Sequence, residues 1–253
     1  MKVTFLGTGT SQGVPVIACD CQVCQSIDFR DKRLRSAIHI EADDNSFVID
    51  TGPDFRQQML RARIKRIDAV LFTHEHKDHT AGLDDIRSYN FRQKMDMPVY
   101  GHQRVLDQLK REFSYVFAEK KYPGAPRIET YPIDIAPFTI KGTGFVPIQV
   151  MHHKLPVFGF RVKDFAYITD ANHIDDSEIE KLKGLDTLVL NALQKDPHIS
   201  HFTLEEAVEV AQEIGAKNTY FTHISHKLGC HRDINNELPD GIKLAYDGLK
   251  LSF

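Results

Sequence analysis

Leu71-Phe72-Thr73-His74-Glu75-His76-Lys77-Asp78-His79-Thr80-Ala81-Gly82 decides how this chain is read. The apolar run that ends at Thr73 has the composition of a buried strand, and the residues after His79 lead into a helix. His74 and His76 are two apart, so in extended backbone both point to one side, about 7 Å apart along the chain. That suits two nitrogen ligands on one ion. Asp78 and His79 come where the chain turns into the helix, and can swing toward a second ion beside the first. Imidazole and carboxylate together favour Zn or Mn, whose open sites hydrolyse. A lone histidine is commonly a core or surface residue. Four metal-capable residues in six positions are a different matter.

Outward from this stretch, short β-branched and aromatic runs recur between turn signals, at 3–6, 36–40, 47–50, 69–73, 146–150, 157–162, 166–169, 187–190, 219–222 and 249–253. Asp43-Asp44-Asn45 reads as a hairpin turn. Helical patterns are fewer, at 54–63 and 104–113. The clearest starts at Thr203-Leu204-Glu205-Glu206, a capping box, and runs to a stop at Gly215. The stretch 119–137 is proline-rich and irregular, with a turn at Lys120-Lys121-Tyr122-Pro123-Gly124. No repeat or linker breaks the pattern, so the expectation is one domain over residues 1–253.

The 253 residues are 42% hydrophobic and 26% charged, enough to bury a substantial core. A formal net charge of -3 gives none of the overall basic field that non-specific nucleic-acid binders use. The start, Met1-Lys2-Val3-Thr4-Phe5-Leu6-Gly7, reads as a short apolar run cut off by glycine and not as a signal peptide, and no apolar run reaches the roughly 18 residues a membrane span needs. The expected compartment is the cytoplasm. There, Cys19-Asp20-Cys21-Gln22-Val23-Cys24 points to metal before disulfides. Three thiolates need a fourth ligand to close a structural zinc site, and His226 and Cys230 are the candidates.

The histidine run resembles the signature of the metallo-β-lactamase superfamily, and the resemblance covers the whole chain. Phe47-Val48-Ile49-Asp50-Thr51-Gly52 looks like that family's early strand, ending in an Asp that braces the ligand loop. Val150-Met151-His152-His153, Tyr167-Ile168-Thr169-Asp170 and Tyr220-Phe221-Thr222-His223 match its later ligand strands in order. The resemblance implies an α/β (α+β) fold, a four-layer αββα sandwich with the site along one edge of its two sheets. It implies that one ion takes His74, His76 and His152, that the other takes Asp78, His79 and His223, and that Asp170 bridges. Strand neighbours face opposite ways, so only one of His152 and His153 is a ligand, and the family spacing favours His152.

The Cys-x-Cys-x-x-Cys cluster, with His226 three residues after the last ligand, narrows the likeness to the PhnP-type phosphodiesterases. In these a structural zinc ties the N-terminal loop to that histidine, which implies Cys19, Cys21, Cys24 and His226 here. The expected cofactors are thus two divalent ions, Zn2+ or Mn2+, and one structural Zn2+. Two such ions about 3.5–4 Å apart would share a hydroxide and clamp a phosphate oxygen, and the resemblance makes Asp170 and Asp78 part of the catalytic set. His201, just before the capped helix, is the expected proton donor to the leaving alkoxide and matches a catalytic histidine of PhnP-like proteins. His198 is the second candidate. His39 and His102 read as structural or solvated, and His173 and His231 as surface residues near ligand loops.

The expected substrate is a small phosphate diester, cyclic by preference, with no nucleic-acid or membrane partner; a homodimer is compatible with the sequence. A tRNA 3′-processing nuclease shares the ligand set, but the 17 residues between His152 and Asp170 leave no room for its tRNA-gripping arm. PqqB-like proteins share the cysteines but lack the complete histidine run. A hydrolase of other esters, thioesters or lactones stays open, and a regulatory metal binder without turnover is disfavoured by the full ligand set. Residues 83–97 match no known substrate pocket.

Overall fold

In the computed structural model, which describes residues 1–120 and 122–253, two sheets pack face to face. The first holds β1 (Lys2–Gly7), β2 (Ala37–Ala42), β3 (Asn45–Ile49), β4 (Ala69–Leu71), β5 (Met97–His102) and β6 (Ile128–Ile133) in sequential order. The second is built from β7 (Phe138–Ile140), β8 (Thr143–His152), β9 (Leu155–Val162), β10 (Phe165–Tyr167), β11 (His173–Ile174), β12 (Thr187–Asn191), β13 (Asn218–Thr222) and β14 (Ile242–Leu244). A last strand, β15 (Lys250–Ser252), returns to the first sheet and pairs antiparallel with β1.

Strand alternation accounts for the layers. In β3, Phe47 and Ile49 face the second sheet, where they meet Phe145, Phe158, Phe160 and Tyr167, while Val48 faces outward. In β10, Phe165 and Tyr167 face that same inter-sheet core and Ala166 faces the opposite way. Both faces of each sheet are therefore apolar, and each outer face needs a cover. Helices α1 (Gln22–Gln25), α2 (Phe55–Ala62), α3 (Lys77–Thr80), α4 (Arg87–Gln93), α5 (Gln103–Glu112) and α6 (Ser114–Phe117) precede the second sheet. Phe55, Met59, Tyr89, Val105, Leu106 and Leu109 from this set cover the first sheet. The second sheet is covered from α7 (Asp176–Glu180), α8 (Leu204–Ile214) and α9 (His231–Glu237) through Ile179, Ala207, Ala211, Ile214 and Ile234. The result is the α/β four-layer αββα sandwich.

The Asp43–Asp44 hairpin forms with both residues at positive φ, 50° and 58°, and α8 carries its full capping box with Gly215 left-handed behind it. The stretch expected to be irregular, 119–137, contains β6. It is the edge strand of its sheet, where Pro132 costs no ladder bond on the open side. The expected turn there involves Lys121, which lies outside the described residues; beside it, Ala125 N–H bonds to the carbonyl of Tyr122 at 2.9 Å. No helix among the described residues is long and apolar enough to cross a membrane.

Two loops at the sheet ends are zipped together where no side chain fits. Thr51 N–H donates to the carbonyl of His79 at 2.7 Å, and Gly82 N–H to the carbonyl of Thr51 at 2.8 Å. A Cβ on Gly82 would lie 2.2 Å from the Gly52 carbonyl oxygen and 2.8 Å from Phe55 Cβ. Gly82→Ala is therefore expected to cost about 1–3 kcal/mol or more, by forcing backbone apart. Thermal unfolding checks this; an unchanged midpoint contradicts the close approach.

Candidate metal centre

Five strands end at one rim, and each delivers a polar side chain just past its last residue. β3 is followed by Asp50, β4 by the His74 loop, β10 by Asp170 and β13 by His223, while His152 closes β8. Asp50, Asp170 and His223 have φ of 67°, 58° and 56°, left-handed values that only glycine adopts freely. Those kinks turn the strand ends so that the side chains converge instead of running on along the sheet.

Asp50 organises the ligand loop. Its carboxylate accepts from Thr73 N–H at 2.9 Å and Thr73 Oγ1 at 2.8 Å, and lies 2.7 Å from His79 Nδ1. The other nitrogen of His79, Nε2, points inward, 3.2 Å from Asp78 Oδ2 and 3.3 Å from Asp170 Oδ1. It is buried with no hydrogen-bond partner among the described residues. Asp170 Oδ1 also lies 3.1 Å from His223 Nδ1, while Oδ2 faces His74 Nε2 at 3.8 Å. His74 Nε2 is in turn 3.0 Å from His76 Nδ1. The Asp170 carboxylate thus stands between two groups of donors, one oxygen toward each.

His152 donates from Nδ1 to the Ser200 carbonyl at 2.9 Å, which leaves Nε2 as its free lone pair. Its ring centroid lies 5.1 Å from that of His76 and 4.6 Å from that of His201. His153 is exposed and in a left-handed turn, with its N–H on Asn172 Oδ1. Donor atoms of Asp78, His79, Asp170 and His223 lie within 4.8 Å of one another, as do those of His152, Asp170 and His201. His201, expected as a proton donor only, therefore stands within ligand reach of the second group.

The electrostatics favour a cation. Burial alone would push the His79 imidazole toward neutrality, yet Asp170, Asp78 and Asp50 hold its proton well above the ordinary range. Burial opposes charge on Asp170 too, but His223 and His79 keep it ionised well below the usual carboxylate range. His74 goes the other way, neutral through burial and the neighbouring His79. Ionised carboxylates held around an inward imidazole nitrogen show a site built to take positive charge, which a divalent ion in place of the His79 proton would supply.

A second cluster lies near this rim. His226 Nδ1 is 3.3, 3.4 and 3.6 Å from the sulfurs of Cys19, Cys21 and Cys24. All four donors lie within 4.8 Å of one another, and Cys230 is not among them. The Cys21 thiol is lowered to about 6, first by the Cys24 N–H, against burial, and then by His226. Burial raises Cys24 to about 11. Three sulfurs and one imidazole match a closed tetrahedral zinc site.

Among the remaining histidines, His198 is exposed, with its ring 5.1 Å from that of His201. His39 is buried on Ser46 Oγ, and His102 caps α5. His173 is exposed beside Asp175. His231 corrects a surface expectation: it is 3% exposed, its N–H bonds Asp31, and Nδ1 lies 3.1 Å from the buried Arg33. The sequence reading missed Thr10, whose Oγ1 is 3.3 Å from His223 Nε2. Its place just after β1 was the available signal, because the other site residues also follow strand ends.

Residues 45–224 match the Beta-lactamase superfamily domain. The octanoyltransferase of Porphyromonas gingivalis is 39% identical over 253 residues, 99% of this chain and 51% of that protein. Ribonuclease Z of Staphylococcus epidermidis is 26% identical over 217 residues, 83% of this chain and 60% of that protein. The chain thus spans about half the length of the first relative and three fifths of the second. Among solved structures, a diphosphatase from the PhnP family matches with a TM-score of 0.93 and 43% identity, over 100% of this chain and 97% of that one.

Proposed function

The chain belongs to the PhnP family of the metallo-β-lactamase superfamily, as a metal-dependent hydrolase, and from that premise we propose that it cleaves a small phosphate diester. The observation that carries the reading is Asp170, one carboxylate oxygen toward each of two donor groups at a single rim. In this reading Asp78, His79 and His223 would hold one divalent ion and His74, His76 and His152 the other, with Asp170 available to both. Zn2+ and Mn2+ both suit these donors. Cys19, Cys21, Cys24 and His226 hold a structural Zn2+. The paired ions, when bound, lower the pKa of water and take up negative charge on the phosphoryl oxygens.

The chain's own groups supply the rest. Asp50 fixes His79, and the Ser200 carbonyl fixes the tautomer of His152. Burial first and then His223 hold His201 down to about 3. In this reading His201 would carry a proton from solvent to the leaving alkoxide as the P–O ester bond breaks. His201→Ala is expected to keep both rim ions and to slow hydrolysis by about 10²-fold for an alkyl leaving group. The loss should be smaller with bis(p-nitrophenyl) phosphate, whose leaving group needs no proton. Loss of an ion would make His201 a ligand, and equal slowing of both substrates would remove the proton-donor role.

A second reading has one observation in its favour: a relative 39% identical over 99% of this chain is an octanoyltransferase, although this chain spans only 51% of that protein. Acyl esters and thioesters are then the substrate class. The likeness to ribonuclease Z carries less, because β9 and β10 fill residues 153–169 and supply no inserted arm. Metal-loaded protein assayed with bis(p-nitrophenyl) phosphate and with an octanoyl thioester decides between the first two. Turnover of the thioester alone would overturn the diesterase reading.

A further inference from the structure

The residues interleaved with the rim histidines have a destination of their own. His74 and His76 face the rim, whereas Glu75 and Lys77 point away from it, and both reach the same helix. Glu75 accepts from Arg104 Nε at 2.7 Å and from Arg104 Nη2 at 3.3 Å, and Nη2 continues to the Pro156 carbonyl at 2.8 Å. Lys77 Nζ lies 2.7 Å from Glu112 Oε2. Arg104, Gln108 and Glu112 form one stripe of α5, spaced by four, so the two contacts are about 12 Å apart along the helix. Val105, Leu106 and Leu109 anchor that helix on the first sheet with at most 1% exposure each.

His76 is the member of the donor set that needs such support. It is exposed, and among the described residues its ring nitrogens have one hydrogen-bond partner, His74. The opposite group is held differently: His79 is fully buried on Asp50, and His223 is buried between Asp170 and Thr10. We propose that α5 braces the His74/His76 half of the metal centre, with Arg104 and Glu112 as positioning residues that hold the residues on either side of His76. This rests on the two-ion reading of the rim. Exposed ion pairs contribute little to folding, but one that fixes the direction of a ligand sets metal affinity instead.

The test is metal affinity of the full chain, not turnover. Metal-stripped protein, with its thiolate cluster first refilled with zinc, is titrated with Co2+ by calorimetry and by absorption. The double variant R104Q/E112Q is expected to bind one of the two rim ions at least about tenfold more weakly, with the other unchanged and thermal unfolding within about 2 °C. Arg104→Lys, which keeps one charged contact, should recover part of the loss. Unchanged affinity for both ions, or equal weakening of both, overturns the brace. If the parent chain itself takes up fewer than two rim ions, the two-ion reading fails first, and that result is visible before any variant is made.

Discussion

Asp170→Asn is expected to lose at least about 10³-fold in hydrolysis and to bind fewer than two ions at the rim, because in the proposed two-ion reading one carboxylate serves both halves of the centre. The aspartate is 2% exposed, and its charge is stabilised by His223, His79 and His74. Asparagine keeps the shape and removes the charge. A metal ion at the reacting centre contributes several kcal/mol of transition-state charge stabilisation, and each 1.36 kcal/mol is tenfold in rate, so losing one ion accounts for an effect of this size. Metal analysis per chain together with steady-state hydrolysis measures both effects. Two rim ions with the parent rate would remove Asp170 from the centre.

The second large effect falls on stability. The N-terminal loop has little apolar support: its cluster consists of Val14, Val23 and Cys24, while Ile17 and Ile27 are exposed. Backbone bonds such as the paired ones between Val14 and Arg33 tie its start, and the contact of three sulfurs with His226 ties the cysteine turn to the C-terminal loop. A structural zinc bound there contributes its affinity directly to folding. Cys21→Ser is expected to lose one zinc per chain and at least about 2 kcal/mol, a fall of about 4–8 °C in the unfolding midpoint. Hydrolysis below that midpoint should change far less than for Asp170→Asn. An unchanged midpoint and zinc content would leave these cysteines as free thiols.

Much of this centre is legible in the sequence because it obeys one rule: each rim residue lies at or just past the end of a β-branched, apolar run. That pattern marks the His74 run by itself, and the likeness to the metallo-β-lactamase superfamily adds Asp50, His152, Asp170 and His223 at the ends of their strands. It does not find the Ser200 carbonyl behind His152, since a backbone contact leaves no mark on side-chain identity. Nor does it place His231, where the deciding partner, Arg33, is 198 positions away in sequence. Strand β6 was obscured by Pro132, which reads as a breaker until the strand is known to be an edge. Glu75 and Lys77 carry no signal of their own in the sequence, because their partners, Arg104 and Glu112, belong to a helix whose position over the loop no local pattern reveals.

The left-handed strand ends at Asp50, Asp170 and His223 carry a consequence for how such a protein can change over generations. At each of these positions glycine would relax the backbone, yet in the proposed two-ion reading it would delete a bridging carboxylate, a ligand or the brace behind one. Selection for stability and selection for catalysis therefore pull in opposite directions at the same three residues. A redesign that optimised folding alone would dismantle the centre first, and drift after loss of function would be fastest there.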